Sequence, residues 1–348
     1  MAACRAKSNL ISAMATAASL HSSQLRLELA ARNRLYARGR AHVESYGGAP
    51  VIVYEPEGNR HGNFFDAAYK AILARPDWMR RFDKVHAQAA RSLPRPQLDP
   101  ARRWRELDSS MSSDALLMSI FCTPGVAESA AICNALGVDA GSSPIFGWKA
   151  RVPLANGRFD RTEVDMRLGS LLVEAKLTET GFQTRTAAIV EAYRDLDLVF
   201  DRDRLLRTEI PTSRWMRASE FPENDSQEFE SIVGDPDLVA HVDPVFRPPG
   251  EPGYASYQLI RSVLAAHATD SSFCVIHDER RPDLREEWFE VMAAVKSAAL
   301  RTRLKVLTWQ ELAAFLQAPL QQFLDVKYGI VPPGKVPSPI GDTAEISD

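Results

Sequence analysis

The sequence predicts an α/β layered fold in which antiparallel strands lie in front and parallel βα units lie behind. Three observations predict this class in the 348-residue chain. Apolar residues recur at helical spacing on both sides of a central segment. That central segment alternates apolar and polar residues between tight turn signals, which predicts three antiparallel strands. Near the C-terminus, a strand, a helix and a second strand follow one another.

The first third of the chain is predicted to be mostly helical, and it is basic. Residues 1–105 contain 18 Lys and Arg against 8 Asp and Glu, a net charge of +10; since the whole chain carries −3, the remainder carries −13. Such a segment can supply phosphate contacts, although Arg-rich helices are also ordinary soluble helices. The predicted elements are helices over 22–45, 64–75 and 77–91, a short strand within 46–58, and a linker over 94–100.

Two further helices are predicted directly before the central strands. Residues 112–122 have a helical pattern, with Ser and Asp residues at their start that can act as the N-cap. A second helix follows the Pro-Gly pair at 124–125 and ends at Gly137. This second helix is predicted to carry Glu128 in its first turn.

The central segment predicts a three-stranded meander. Its strands read WKARVPL, RTEVDMRL and LLVEAKL, at 148–154, 161–168 and 171–177. The first turn is Asn-Gly at 156–157, the strongest hairpin signal in the chain, and the second is Gly-Ser at 169–170.

The second hairpin has two unlike faces. A two-residue turn pairs Leu168 with Leu171 and brings Asp165 opposite Glu174, and opposed residues share a face. The two carboxylates would then have Cβ atoms about 5 Å apart, with Lys176 one step along. The apolar face consists of Val164, Met166, Leu168, Leu171, Val173, Ala175 and Leu177. The charged face consists of Glu163, Asp165, Arg167, Leu172, Glu174 and Lys176.

The charged face has two interpretations. Two close carboxylates repel each other unless a cation lies between them, and a hard divalent ion such as Mg²⁺ binds to such a pair. A half-buried hairpin also commonly presents a charged face to water, and Glu163 opposite Lys176 would then be an ordinary cross-strand ion pair. The acid-x-Lys triplet is weak by itself, because about one or two are expected by chance in a chain of this length. A second triplet, Asp-Val-Lys, occurs at 325–327.

Helices and strands alternate after the meander. A polar, Pro-containing stretch interrupts them around 200–252. The predicted elements are helices over 184–199 and 254–268, a strand over 272–278, a helix over 283–300, a strand over 303–309, a helix over 310–317, and a disordered tail over 331–348.

This order of elements resembles the PD-(D/E)XK nuclease superfamily, with Asp165 on the second strand and Glu-Ala-Lys at 174–176 on the third. Glu128 lies in the preceding helix, where many members carry a further acid, and Gln258 is similar to the glutamine of the RecB-like branch. Val164 replaces the Pro that usually precedes the Asp. The segments HGNFFDAAY, WRELDSSMSSDALLMSIFC and YQLIRS also resemble a bacterial group of restriction-type endonucleases.

The resemblance implies a restriction-endonuclease-like core (helix, three-stranded meander, helix, further strands) over 106–318. That core would contain an insertion around 200–252, follow an N-terminal helical extension over 1–105, and precede the tail over 331–348. It also implies metal-dependent hydrolysis of phosphodiester bonds in DNA with Mg²⁺ or Mn²⁺. Lys176, with its pKa lowered near the metal, would orient or deprotonate the attacking water, and Gln258 would hydrogen-bond nearby. The implied metal ligands are Asp165, Glu174, the Ala175 carbonyl and Glu128.

Other functions stay open at the sequence level. The same fold could serve as a catalytically inactive nucleic-acid- or partner-binding module, or the charged hairpin could be plain surface. The sequence does not separate DNA from RNA, or endonuclease from exonuclease, and double-strand cleavage would favour a homodimer. No run is long enough to span a membrane, and four scattered cysteines without a CxxC motif indicate reduced thiols. We therefore expect a cytoplasmic protein.

Overall fold

The computed structural model describes residues 20–45, 51–84, 105–161, 163–210 and 250–340. The helices in this part of the chain are α1 (20–36), α2 (Asp66–Leu73), α3 (Pro76–Phe82), α4 (Ser113–Phe121), α5 (Ala130–Leu136), α6 (Ala187–Val190), α7 (Leu196–Val199), α8 (Tyr257–Ala268), α9 (Pro282–Ala294), α10 (Ala298–Arg301), α11 (Trp309–Ala313) and α12 (Ala318–Tyr328). The strands are β1 (His42–Glu44), β2 (Ile52–Tyr54), β3 (Pro56–Glu57), β4 (Arg60–His61), β5 (Pro144–Lys149), β6 (Val152–Pro153), β7 (Phe159–Asp160), β8 (Glu163–Leu168), β9 (Leu171–Ala175), β10 (Arg185–Thr186), β11 (Arg207–Ile210), β12 (Glu251–Tyr254), β13 (Ser272–His277) and β14 (Leu304–Thr308).

A five-stranded mixed sheet forms the centre of the molecule, in the order β14-β13-β9-β8-β5. Strands β5, β8 and β9 are antiparallel neighbours, whereas β9, β13 and β14 run parallel. The parallel strands are joined by helical crossovers, as parallel pairing requires. The predicted mixed α/β class is therefore confirmed.

The hairpin of β8 and β9 has the predicted register. Leu168 pairs with Leu171, and the ladder continues to Met166 opposite Val173. Gly169 in the two-residue turn has a φ of +58°, a conformation that glycine adopts without steric cost. The Gly-Ser turn thus fixes which side chains of the two strands lie opposite each other.

The first strand of the meander differs from the prediction. It is β5, which pairs with β8 from Pro144 opposite Leu168 to Lys149 opposite Glu163. The Asn-Gly turn at 156–157 instead joins β6 and β7, which form a separate two-stranded sheet. The turn signal was real, but only two residue pairs follow it, and Pro153 has no N–H to donate to a longer ladder.

Several predicted helices are shorter in the structure. The helix predicted over 22–45 ends at 36, because Gly39 takes a φ of +75° and the chain turns into β1. The helix predicted over 184–199 is replaced by the short α6 and α7. Between them Tyr193 is buried and bridges to Leu154, so tertiary contacts override the local helical pattern.

The C-terminal elements follow the predicted alternation with two differences. The helix predicted over 283–300 ends at Ala294, where Val295 is extended, and resumes as α10. Helix α12 was not predicted. The described part of the tail, residues 331–340, has no helix or strand, and Ser338 donates to the Asp325 carboxylate at 2.7 Å.

Both faces of the sheet are covered. On one face, Val173 packs with Leu29 of α1, Leu117 of α4 and Leu324 of α12. On the other face, Leu172 packs in a second core together with side chains of α8 and α9. Every residue of β9 is buried as a result. Val164, predicted on the apolar face with Met166, packs instead in the second core.

Candidate metal centre

The position of Asp165 is set by interruptions in two strand ladders. The ladder between β8 and β9 ends at Met166, and the ladder between β5 and β8 passes over the pair Gly147–Asp165. Gly147 has a φ of +60°, which distorts β5 at this point. The Asp165 Oδ2 atom accepts a hydrogen bond from the Ala175 N–H at 2.8 Å, so a carboxylate takes the place of a backbone acceptor. The side chain of Asp165 is thereby anchored across the hairpin to the backbone beside Glu174.

Glu174 and Lys176 form an interior ion pair. The Lys176 Nζ lies 3.0 Å from the Glu174 Oε1, and the two side chains are only 6% and 2% exposed. Such burial is typical of groups with a specific electrostatic role, because desolvating two charges is costly. The interpretation of this face as a solvated surface is therefore wrong for these two residues.

Glu163 does not pair with Lys176, as the surface interpretation would require. Its Oε1 lies 2.5 Å from Arg81 Nη1 and 3.3 Å from Lys84 Nζ. These cations lie on and just after α3, so they draw Glu163 away from the hairpin partner. Burial by itself raises the pKa of Glu163, but Arg81 and Lys84 outweigh it and hold the pKa below its usual range.

The carboxylates and Lys176 influence each other strongly. Burial raises the pKa of Asp165 well above its usual range, and the neighbouring carboxylates of Glu174 and Asp114 raise it further. Burial alone would lower the pKa of Lys176, but Glu174, Glu179 and Asp165 outweigh burial, and the pKa lies above its ordinary value. Without a bound cation the pKa of Lys176 is therefore raised; the lowering expected beside a metal ion stays a prediction. Lys176 is a charged ammonium in this state.

Asp114 is the acid from the preceding helices that acts on Asp165. It lies in the first turn of α4 and forms a buried ion pair with Arg81, which also binds Glu163. Sequence reasoning treated Asp114 as one of three alternative helix caps, whereas the side chain of Ser112 is the cap. A sequence signal that could have identified Asp114 is an acid in the first turn of the helix that packs under the meander.

Glu128 is not in the predicted helix. Its side chain is exposed in the turn before α5, two residues ahead of Ala130, and so lies outside the helical turn in which it was predicted. Ser129 is the N-cap residue of that helix. Of the two acids, Asp114 is the one that raises the pKa of Asp165.

Gln258 opens α8, near its predicted place. Its N–H donates to the Phe182 carbonyl at 2.9 Å, and the Lys176 Nζ lies 5.5 Å from the centre of the Phe182 ring. The Gln258 Oε1 atom is buried and has no hydrogen-bond partner. A buried acceptor without a donor is costly and marks a place where a bound group would fit.

Sequence reasoning missed Arg261 and Glu287. Arg261, one turn after Gln258 on α8, is half-buried and donates to the Glu163 carbonyl at 3.3 Å, and Glu174 raises its pKa. Glu287 of α9 accepts a hydrogen bond from the Ser256 hydroxyl at 2.7 Å, and burial raises its pKa. The helical spacing from Gln258 could have found Arg261, since residues three apart share a face.

A family model described as "Restriction Endonuclease associating with ARP" matches residues 30–329, most of the chain. The chain belongs to this REase-ARP family. No curated protein and no solved structure matches it significantly. The REase-ARP match extends from α1 to the end of α12 and contains every residue of the site described above.

In this REase-ARP protein, the described ranges hold no group of three or more His, Cys, Asp and Glu side chains arranged to bind a metal. Sites of that kind suit Zn²⁺ or Ca²⁺, whereas Mg²⁺ takes one or two carboxylates and keeps several waters. In the number of carboxylates, the pair Asp165 and Glu174 fits Mg²⁺ or Mn²⁺.

No helix in the described part of the chain is long and apolar enough to span a bilayer.

Proposed function

We propose that this protein is a Mg²⁺- or Mn²⁺-dependent DNA endonuclease of restriction or repair type, with a PD-(D/E)XK active site in a restriction-endonuclease-like core. The observation that carries the proposal is the buried Glu174–Lys176 ion pair beside the raised-pKa carboxylate of Asp165. The family description, which names a restriction endonuclease, supports DNA as the substrate.

The oxygen atoms of the two carboxylates support binding of a divalent cation. One oxygen of Asp165 accepts from the Ala175 N–H, and one oxygen of Glu174 contacts Lys176. The second oxygen of each carboxylate bonds to no other residue that the structure describes. A cation shared by these oxygens would relieve the repulsion that raises the Asp165 pKa. The proposed ligands are Asp165, Glu174 and the Ala175 carbonyl; Glu128 is left out because its side chain is exposed and Asp114 acts at the site instead.

When bound, Mg²⁺ would polarise a phosphoryl oxygen and lower the pKa of a bound water. Lys176 would place an ammonium beside the phosphate, and two contacts of its backbone fix its position. Its carbonyl accepts from the Trp309 Nε1 at 2.9 Å, and its N–H donates to the Ile276 carbonyl at 2.8 Å. The unpartnered Gln258 Oε1 would accept a hydrogen bond from the attacking water.

Cleavage of plasmid and linear DNA with Mg²⁺ or Mn²⁺ tests the proposal. We expect the wild type to cut, Asp165→Asn to lose at least about 100-fold in rate, and the exposed control Glu290→Gln to cut like the wild type. Asp165→Asn is preferred to Lys176→Ala, because removing Lys176 leaves Glu174 buried and unpaired at a cost of about 3–5 kcal/mol.

The result also separates this proposal from the binding-module alternative. A wild type that binds DNA with a steep salt dependence but cuts neither DNA nor RNA, and binds equally well as Asp165→Asn, would favour a module without catalysis. Folded wild type that neither binds nor cuts would contradict both functions.

A further inference from the structure

Arg261 is a half-buried cation whose surroundings within the described part of the protein leave it incompletely paired. Its Nη2 donates to the backbone carbonyl of Glu163 at 3.3 Å, and its Cζ lies 5.4 Å from the centre of the Tyr257 ring. The Nε atom is buried and has no hydrogen-bond partner. A buried N–H without an acceptor is costly unless a further group supplies one.

The arginines that are buried in the described residues are matched by carboxylates. Arg81 pairs with Asp114 and Glu163, and Arg281 pairs with Asp283 at 2.6 Å. Within the described residues, Arg261 forms no salt bridge. Burial alone lowers its pKa, but Glu174, two tyrosines and Asp160 together outweigh burial and raise the pKa, so the side chain is charged. Arg261 is therefore a half-buried guanidinium on α8 without a salt-bridge partner in the described residues.

Arg261 and Gln258 share one face of α8, because they are three residues apart. Both carry a buried polar atom without a partner, a donor in Arg261 and an acceptor in Gln258. The hydrogen bond from Arg261 to the Glu163 carbonyl places this face against β8, two residues before Asp165. An anionic group accompanied by water would satisfy both atoms at once.

We propose that Arg261 binds a phosphate of the nucleic-acid backbone, its guanidinium donating to non-bridging oxygens of the phosphodiester that lies over Asp165 and Glu174. Planar guanidinium groups suit phosphate oxygens, because they donate two hydrogen bonds in fixed geometry. This inference rests on the proposed nuclease function and adds the residue that would hold the substrate.

The test compares Arg261→Lys, which keeps the charge but loses the planar fork, with Arg285→Lys. Arg285 is a matched control, since it lies 5.7 Å from the Phe289 ring on α9 but is exposed. Single-turnover cleavage by Arg261→Lys should fall about 10- to 100-fold, with Arg285→Lys within twofold of the wild type. Equal cleavage by both variants at equal stability would overturn the inference and leave the nuclease proposal intact.

A phosphorothioate at the cleaved position distinguishes contact with the phosphate from a purely structural role. Replacing the non-bridging oxygen that Arg261 contacts should slow the wild type several-fold and slow Arg261→Lys much less. A sulfur effect unchanged in Arg261→Lys would overturn the inference even if that variant is slow or less stable.

A binding readout covers the case in which the wild type does not cut. The Tm of each protein is measured with a short oligonucleotide and, for comparison, with inorganic phosphate. The oligonucleotide should raise the Tm of the wild type and not that of Arg261→Lys. That result would support phosphate binding while the nuclease proposal fails. Equal shifts in both proteins would overturn the inference.

Discussion

At the scale of single residues, the ionised carboxylate of Asp165 opposes folding. Burial and the neighbouring Glu174 and Asp114 raise the pKa of Asp165, so its ionisation is less favourable in the folded state than in the unfolded state. Stability contributed by this group is present below its unfolded pKa, near 4, and is lost as the pH rises through the folded value. The structure thus keeps an unfavourable charge where a cation is proposed to bind.

We therefore expect Asp165→Asn to stabilise the metal-free protein at neutral pH by about 1 kcal/mol or more. The amide oxygen can still accept from the Ala175 N–H, so the hairpin keeps its cross-strand bond. Urea unfolding in a chelator measures the effect. Added Mg²⁺ should stabilise the wild type and not the variant; an Asp165→Asn protein less stable than the wild type at neutral pH would refute the account of the raised pKa.

The two candidate acids of the preceding helices give a second prediction. Glu128→Gln should cleave DNA within about twofold of the wild type, because surface substitutions away from a site have small effects. Asp114→Asn should slow cleavage at least tenfold, because it removes a charge that acts on Asp165 and one of the two carboxylates that pair with the buried Arg81. Rates are compared at equal folded fraction, measured by circular dichroism. If Glu128→Gln cleaved DNA more slowly than Asp114→Asn, Glu128 rather than Asp114 would be the acid of the site.

At the scale of elements, the site depends on a break in the sheet at Gly147. An added Cβ there would lie 3.3 Å from Arg81 Nη1 and 3.5 Å from the Glu163 carboxyl carbon, and its φ of +60° disfavours other residues. Gly147→Ala should cost about 1–2 kcal/mol and reduce cleavage at least tenfold.

Gly157 supplies the control for this prediction. It has a φ of +80° in the separate hairpin of β6 and β7, and nothing lies within 4 Å of an added Cβ. Gly157→Ala should lower stability by a similar amount and leave cleavage unchanged. If both variants cut like the wild type when folded, the distortion of β5 has no part in positioning Asp165.

The sequence predicted the hairpin well because its rules are local. A two-residue turn fixes the register as far as Met166 opposite Val173. Beyond Met166 the alternation breaks, since Val164 packs in the second core, and Asp165 reaches the next strand through its hydrogen bond from the Ala175 N–H. Asp114 and Arg261 were missed because their roles depend on how α4 and α8 pack against the hairpin. The first strand was misplaced because a turn signal does not say which strands it joins.

At the scale of the whole molecule, a buried lysine joins distant parts of the chain. Lys327 of α12 donates to Asn33 of α1 at 2.7 Å and to Asn63, after β4, at 2.9 Å. Its Nζ also lies 4.5 Å from the centre of the Tyr54 ring. Sequence reasoning saw only a chance acid-x-Lys triplet here, because the contacts join residues almost 300 positions apart. The boundary at residue 105 stays a prediction, although Leu29 packs in the same core as the sheet.

Burial lowers the pKa of Lys327 well below its ordinary value, and Arg40 lowers it further. The unfolded chain then binds the proton more tightly, so stability should rise with pH up to the unfolded pKa, about 10.4. Lys327→Met should remove this rise, even though it leaves the Asn63 oxygen without a donor; the Asn33 oxygen keeps its hydrogen bond from the Tyr54 hydroxyl. Urea unfolding of both proteins at pH 7, 8 and 9 measures the slopes. A wild-type stability that is flat or falls over this range would contradict the account.

The central claim is that Asp165 and Glu174 together bind the divalent cation used for phosphodiester cleavage. Anomalous diffraction from crystals soaked in Mn²⁺ tests it most directly, because the scattering locates the metal itself. We expect a peak within about 2.0–2.3 Å of both carboxylates in the wild type and none in Asp165→Asn. A peak at Glu128, or no peak in a wild type that cuts DNA with Mn²⁺, would contradict the account.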